Sequence, residues 1–209
     1  MKSRLNVLII LCGLLAGSIS AATPDFYAGF RHLPATVSLY HYKVPEKVLM
    51  AQVQAAMQKV MQEGAMKVTQ ANKSGKHGTV SVTTSVFVLP QLYLFDNRGR
   101  EIFARTAVSN DLAVQLDHAF SSPVPLRNAK QLRAWLEPLV PDGNFPIYKP
   151  QSAEKFTVLE YWAPWCEYCF VERDQLVAYF DKHKDLHVTW ITVDADVTQV
   201  AGTQPKTSQ

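Results

Sequence analysis

The sequence predicts an α/β protein with a mixed sheet, and three observations carry that prediction. Phe156–Trp162 and residues 187–193 are apolar runs rich in β-branched and aromatic residues. They flank a helical stretch, 167–183, and together read as a βαβ unit with parallel strands. Gln91–Asp96 and residues 101–106 flank the turn signal Asn97-Arg98-Gly99, which reads as an antiparallel hairpin. The composition, 47% hydrophobic and 19% charged over 209 residues, is that of a globular chain with a real core.

Residues 1–22 read as a secretory signal. Lys2 and Arg4 make a positive start, Val7 to Leu15 is an apolar run interrupted by Cys12 and Gly13, and Ser20, Ala21 and Ala22 supply the small residues a signal peptidase reads. The rival reading is a retained anchor, but the run is shorter than the roughly 20 residues a bilayer span needs. No stable membrane span is therefore expected after cleavage. A lipid anchor on Cys12 is disfavoured by Leu11, which stands where such signals carry a small residue. Cleavage removes two of the 21 basic residues and none of the 18 acidic ones, leaving a net charge of +1. So nearly neutral a chain has no electrostatic reason to bind nucleic acid or an anionic membrane. The signal points to the periplasm.

Residues 36–42 alternate as a strand does. Pro45 stands where a helix can start, and Val48, Leu49, Val53, Met57, Val60 and Met61 recur at helical spacing, with Gly64 at or near the helix end. Met50, Met57 and Met61, with Met66 beyond, read as core packing; the rival reading is a thioether site for Cu(I) or for a partner's apolar groove. Residues 71–78 read as a polar loop, and 80–88 as a β-branched run leading into Pro90. Residues 111–120 and 129–139 are helix candidates, the second with Leu132, Trp135, Leu136 and Leu139 on one face. Residues 141–155, rich in proline at their start, read as a linker. The expected organisation is thus the signal, an N-terminal half (23–140), the linker, the βαβ unit (156–195) and a flexible tail (196–209).

Signal cleavage leaves two cysteines, Cys166 and Cys169. In an oxidising compartment they pair with each other or with a partner protein. A Cys-x-x-Cys directly after a strand puts both sulfurs in the first turn of a helix, where unpaired N–H groups and the helix dipole favour a thiolate. Cys166, nearest the tip, is the expected nucleophile, and Cys169 is placed to resolve a mixed disulfide by attacking it. Cys166, Cys169, His183 and His187 also fit a zinc spacing. Against zinc stand the strand where a knuckle is needed, the export signal and the missing basic face. No metal or cofactor is expected.

The run Val158-Leu159-Glu160-Tyr161-Trp162-Ala163-Pro164-Trp165-Cys166-Glu167-Tyr168-Cys169 resembles the active-site strand and motif of thioredoxins and protein disulfide isomerases, and the close resemblance covers residues 156–195. It implies a thioredoxin-like fold and a thiol–disulfide oxidoreductase acting on protein thiols and disulfides, with a redox partner protein. It also implies that Glu160 is a buried acid that takes and returns the proton of Cys169, and that Trp165 and Tyr168 meet the substrate. Glu167-Tyr168 stands where thioredoxins have Gly-Pro, and a negative Glu167 beside Cys166 opposes thiolate formation. Phe170 stands where a basic residue is common. The direction of exchange stays open.

Residues 86–96 resemble the cis-proline strand of the same family, which implies that Pro90 faces the cysteines and helps bind extended substrates. Sixteen residues follow Val193, too few for the hairpin, cis-proline and last helix of that fold. Two architectures are consistent with this: a permuted single fold whose upstream hairpin completes the sheet, or a cysteine-free thioredoxin-like domain followed by a truncated one. The rival function is that of a non-catalytic subunit of an envelope complex.

Overall fold

The computed structural model describes residues 8–9, 25–73, 81–82, 88–143, 145–150 and 155–196. In chain order the elements are β1 (Leu8–Ile9), a 3-10 helix (Phe26–His32), β2 (Val37–Lys43), α1 (Glu46–Lys73), β3 (Ser81–Val82), β4 (Gln91–Asp96), β5 (Glu101–Arg105), α2 (Leu112–Ser121), α3 (Leu132–Leu136), β6 (Val140–Pro141), β7 (Phe156–Trp162), α4 (Glu167–Lys182) and β8 (Val188–Asp194). Apart from β1, the expected signal lies outside the described residues, as do residues 74–78, most of the 80–88 run and the tail beyond 196. Among the described residues no helix is long and apolar enough to cross a membrane.

The chain divides into two units. The first, Met1–Ala21 with Lys47–Phe87, holds nearly all of α1 and the short parallel pair of β1 with β3. The helix runs nine residues past Gly64, its expected stop. A glycine inside a long helix costs only about 1 kcal/mol against alanine, too little to end it. Leu49 and Val60 are buried, but Met50, Met57, Met61 and Met66 are all exposed, so the expected core packing of the methionines is not met. Helical spacing of apolar residues marks a face; it does not supply a surface that covers the face.

The second unit, Ala22–Glu46 with Val88–Gln209, is built on a six-stranded mixed sheet in the order β5-β4-β7-β8-β2-β6. β7, β8 and β2 run parallel, and β4 lies antiparallel to both β7 and β5. Every residue of β7 is buried and all but the last of β8, as befits central parallel strands covered on both faces. The hairpin turn forms where Asn97-Arg98-Gly99 predicts it. Gly99 takes φ +71°, and the Asp96 carboxylate accepts from the backbone N–H groups of Arg98 and Arg100, both at 2.9 Å. The hairpin and the βαβ unit share one sheet, so the expectation of two separate incomplete domains is not met.

Two other expectations shift. The helix over 129–139 shortens to five residues, because Gln131 is drawn into a bridge with Arg100 and Pro138 follows. Part of the segment expected to be a linker, 141–155, is held to the sheet. Pro141 pairs with Tyr42, and the Tyr148 N–H donates to the Tyr42 hydroxyl at 2.9 Å.

One face of the sheet carries α2, α4 and the 3-10 helix over a shared core that includes Leu92, Leu94, Val158, Trp162, Leu176, Phe180 and Trp190. On α4 the buried residues are Cys169, Glu172, Arg173, Leu176, Tyr179 and Phe180, a helical stripe with two charges in it. Phe26 of the 3-10 helix stacks flat on Trp162 at 3.9 Å between ring centroids. Arg173 donates to the Phe26 carbonyl at 2.6 Å and lies 5.2 Å from the ring centroids of both Phe26 and Phe170.

Gly29 gives the Arg173 side chain its room, since a Cβ there would stand 2.6 Å from Cζ of Arg173. The guanidinium is buried and bonded and cannot simply swing away. Gly29→Ala should therefore lower stability by about 1–3 kcal/mol in denaturant unfolding. An unchanged midpoint would show that Arg173 does not hold the 3-10 helix on α4.

Candidate functional site

α4 begins at Cys166, which is its N-cap residue, with backbone angles of −93° and 90°. The Cys169 N–H donates to the Cys166 carbonyl at 3.0 Å and approaches Cys166 Sγ at 3.2 Å. A sulfur at this point meets the positive end of the helix, as the strand–Cys-x-x-Cys order predicts. Cys166 and Cys169 are joined in a disulfide, S–S 2.09 Å with 5.3 Å between Cα atoms. Cys169 is fully buried, and Cys166 keeps 6% of its surface, so the expected nucleophile is the reachable sulfur of the two but is nearly covered.

Trp165 and Tyr168 stand exposed on either side of Cys166 in sequence, at 47% and 67%. The Trp165 indole N–H donates to Asp196 at 3.1 Å, which fixes one of these aromatic surfaces. The Leu89–Pro90 peptide is cis and Pro90 is buried. Gln91 pairs with Tyr161, so Pro90 precedes β4 in line with the Trp162 end of β7, the end from which the cysteine turn departs.

Glu160 is fully buried on β7. Cross-strand register places it in a row on the α4 face of the sheet: Arg105 opposite Leu92, Leu92 opposite Glu160, Glu160 opposite Thr192, and Thr192 opposite His41. Trp190 donates its indole N–H to Glu160 Oε2 at 3.0 Å. Burial, reinforced by the charge of Glu172, raises the Glu160 carboxyl well above its ordinary range; the Trp190 hydrogen bond and Arg173 pull the other way.

Sequence reasoning missed three members of this layer. Glu172 on α4 is buried beside Arg105, whose Nη2 lies 3.2 Å from Oε2. Burial outweighs that ion pair and pushes the Glu172 carboxyl up to about 7. His41 Nδ1 lies 2.6 Å from Thr192 Oγ1, and desolvation lowers its pKa to about 4. The legible signal was Glu172 on the same helical stripe as Cys169 and Leu176; Arg105 and His41 carried none, because only the register of distant strands brings them into the row.

The zinc set does not converge. His183 lies 14 residues beyond Cys169 along α4, about 21 Å of helix. His183 instead caps its C-terminus and stacks on Tyr179 at 4.2 Å. Among the described residues no group of three or more His, Cys, Asp or Glu is arranged to hold a metal ion. No family model, no curated protein and no solved structure matches the chain.

The buried neutral His41 fixes a pH dependence. Its folded pKa lies below the unfolded value of about 6.5, so the unfolded chain binds the extra proton and stability falls as pH drops from 6.5 towards 4. Between pH 7 and 4.5 this one group should remove on the order of 2–3 kcal/mol. Denaturant unfolding of His41→Gln at both pH values should show a correspondingly smaller acid loss; an equal loss in both proteins contradicts the assignment.

Proposed function

We propose that this chain is an exported, periplasmic thiol–disulfide oxidoreductase with a permuted thioredoxin-like fold. The observation that carries the reading is the Cys166–Cys169 disulfide at the N-terminal tip of α4, with the carboxyl of Glu160 buried in the strand that leads to it. The permutation is supported by the sheet. The hairpin, with its cis-proline, precedes the βαβ unit in sequence and pairs beside it through β4 and β7. Trp165, Tyr168 and Pro90 are the residues assigned to the extended substrate.

The chemistry follows from the positions. In the reduced protein the Cys166 thiolate attacks a protein disulfide, its S–S bond breaks, and the displaced substrate thiolate takes a proton from water. Cys169 then gives its proton to Glu160, and the resulting thiolate attacks Cys166 Sγ in the mixed disulfide. The second substrate sulfur leaves as a thiolate and is protonated in turn. Two electrons have passed from the dithiol to the substrate, and the protein holds the disulfide observed. In reverse, Glu160 returns its proton to Cys169 as the disulfide opens and a substrate dithiol is oxidised. A redox partner protein resets the pair, and its potential relative to the substrate sets the direction. Burial of Glu160 suits the role, since raising a carboxyl's pKa brings it closer to that of a thiol and eases proton transfer in both directions.

The full chain without its signal should reduce insulin disulfides or oxidise a dithiol peptide, and Cys166→Ser should abolish both. Glu160→Gln should keep the fold and slow resolution of the mixed disulfide at neutral pH by about 100-fold or more. Full exchange activity in Cys166→Ser overturns the function, and an unchanged resolution rate in Glu160→Gln removes Glu160 from the mechanism.

A further inference from the structure

A second carboxyl lies in the layer of Glu160, and the exchange steps above leave it without a role. Glu172 follows Cys169 by three residues on the buried stripe of α4. Its side chain is 1% exposed, and that of Arg105, its ion-pair partner, 8%. Arg105 is held from β5, where Nε donates to the Ala107 carbonyl and Nη1 to Ser109 Oγ at 3.2 Å, with Ser109 bonded in turn to Asp111. Arg105 and Glu160 occupy the same cross-sheet row two strand spacings apart, about 10 Å between backbones. Glu172 enters that layer from the helix packed above it. Among the described residues, Glu160 Oε1 and Glu172 Oε1 are buried without a hydrogen-bond partner, and Glu172 Oε2 has only its ion pair with Arg105.

We propose that Glu172, pinned by Arg105, is a positioning residue that controls how readily Glu160 gives up the proton it exchanges with Cys169. The inference rests on the exchange function proposed above. Two carboxylates in one dry layer cannot both ionise freely, and a cation in contact with one of them favours its ionising first. Arg105 contacts Glu172, so Glu172 ionises first of the two and Glu160 after it. The other groups facing the pair do not reverse that order. Arg173 on α4 draws Glu160 down, but it is engaged by Phe26 and Asp174, and Asp174 pushes Glu160 up. His41 closes the far end of the row as a neutral ring. On α2, Asp117 is engaged by Tyr179 near the other end of α4, and Tyr27 of the 3-10 helix donates to Asp142.

Removing the charge of Glu172 removes a like-charge push on Glu160, so Glu160 should ionise at lower pH. The experiment is the pH profile, from 5 to 9, of mixed-disulfide resolution by the full chain against an aromatic model disulfide. Glu172→Gln should move the midpoint to lower pH by about one unit, while Glu172→Asp, which keeps the charge, should leave it near the wild-type value. A purely structural role changes stability or amplitude and leaves the midpoint in place. A wild-type chain that exchanges disulfides while Glu172→Gln keeps its midpoint overturns this inference alone; a wild-type chain without exchange overturns the function and this role together. A second measurement needs no variant. Infrared titration of the oxidised wild-type protein should show Glu160 and Glu172 losing protons in separate steps above the ordinary carboxylate range, beside Asp194, which burial raises to about 6. Loss of both below pH 5 overturns the inference even if Glu172→Gln fails to fold.

Discussion

Glu160 carries a carboxyl group into the centre of the sheet, under the helix that bears the disulfide, and much of the second unit is arranged around burying it there. An ionised carboxylate in such a place is costly, so burial raises the pKa of the group. Among the described residues it has one hydrogen bond, from Trp190, and no cation in contact. The layers on either side supply the dryness. Val158 and Trp190 fill the row below, and Trp162, stacked on Phe26, stands above. Cys169 is sealed beneath the same helix turn. The acid that is expensive to ionise and the buried sulfur of Cys169 are thus built into one packing problem.

Register is what makes the arrangement hold. Side chains alternate along a strand, so a slip of one residue in β7 would send Glu160 to the opposite face and bring Leu159 or Tyr161 beneath α4. The pairing of β7 with β8 on one side and β4 on the other fixes that choice from two directions. The same pairing aligns Arg105, Glu160, Thr192 and His41, residues drawn from four strands that are far apart in the chain. A parallel β7–β8 pair needs a crossover, and α4 is that crossover; its first turn, which every such unit must place at the strand end, is where the cysteines sit.

The parts of this architecture that were legible in the sequence are the local ones. The apolar runs at 156–162 and 188–193, the Asn97-Arg98-Gly99 turn and the strand–Cys-x-x-Cys order each encode their own geometry, and burial of Glu160 follows from its apolar neighbours. What the sequence hid depends on contacts between distant segments. Arg105 reads as the end of a hairpin strand, and nothing near it announces Glu172. The prolines of 141–150 suggest a linker, yet the segment is held by Tyr42, about a hundred residues upstream. Gly64 suggests a stop that the rest of α1 overrides, and the spacing of Met50, Met57 and Met61 suggests a core that does not cover them.

The central claim, that Cys166 exchanges disulfides and Cys169 resolves them, is tested most directly by trapping. Cys169→Ser, offered an oxidised protein substrate, should accumulate a mixed disulfide through Cys166, seen as a mass equal to the sum of the two chains and released by reductant. Cys166→Ser should form none, because its remaining thiol is sealed under α4. No adduct in Cys169→Ser, or equal adducts in both variants, would contradict the account.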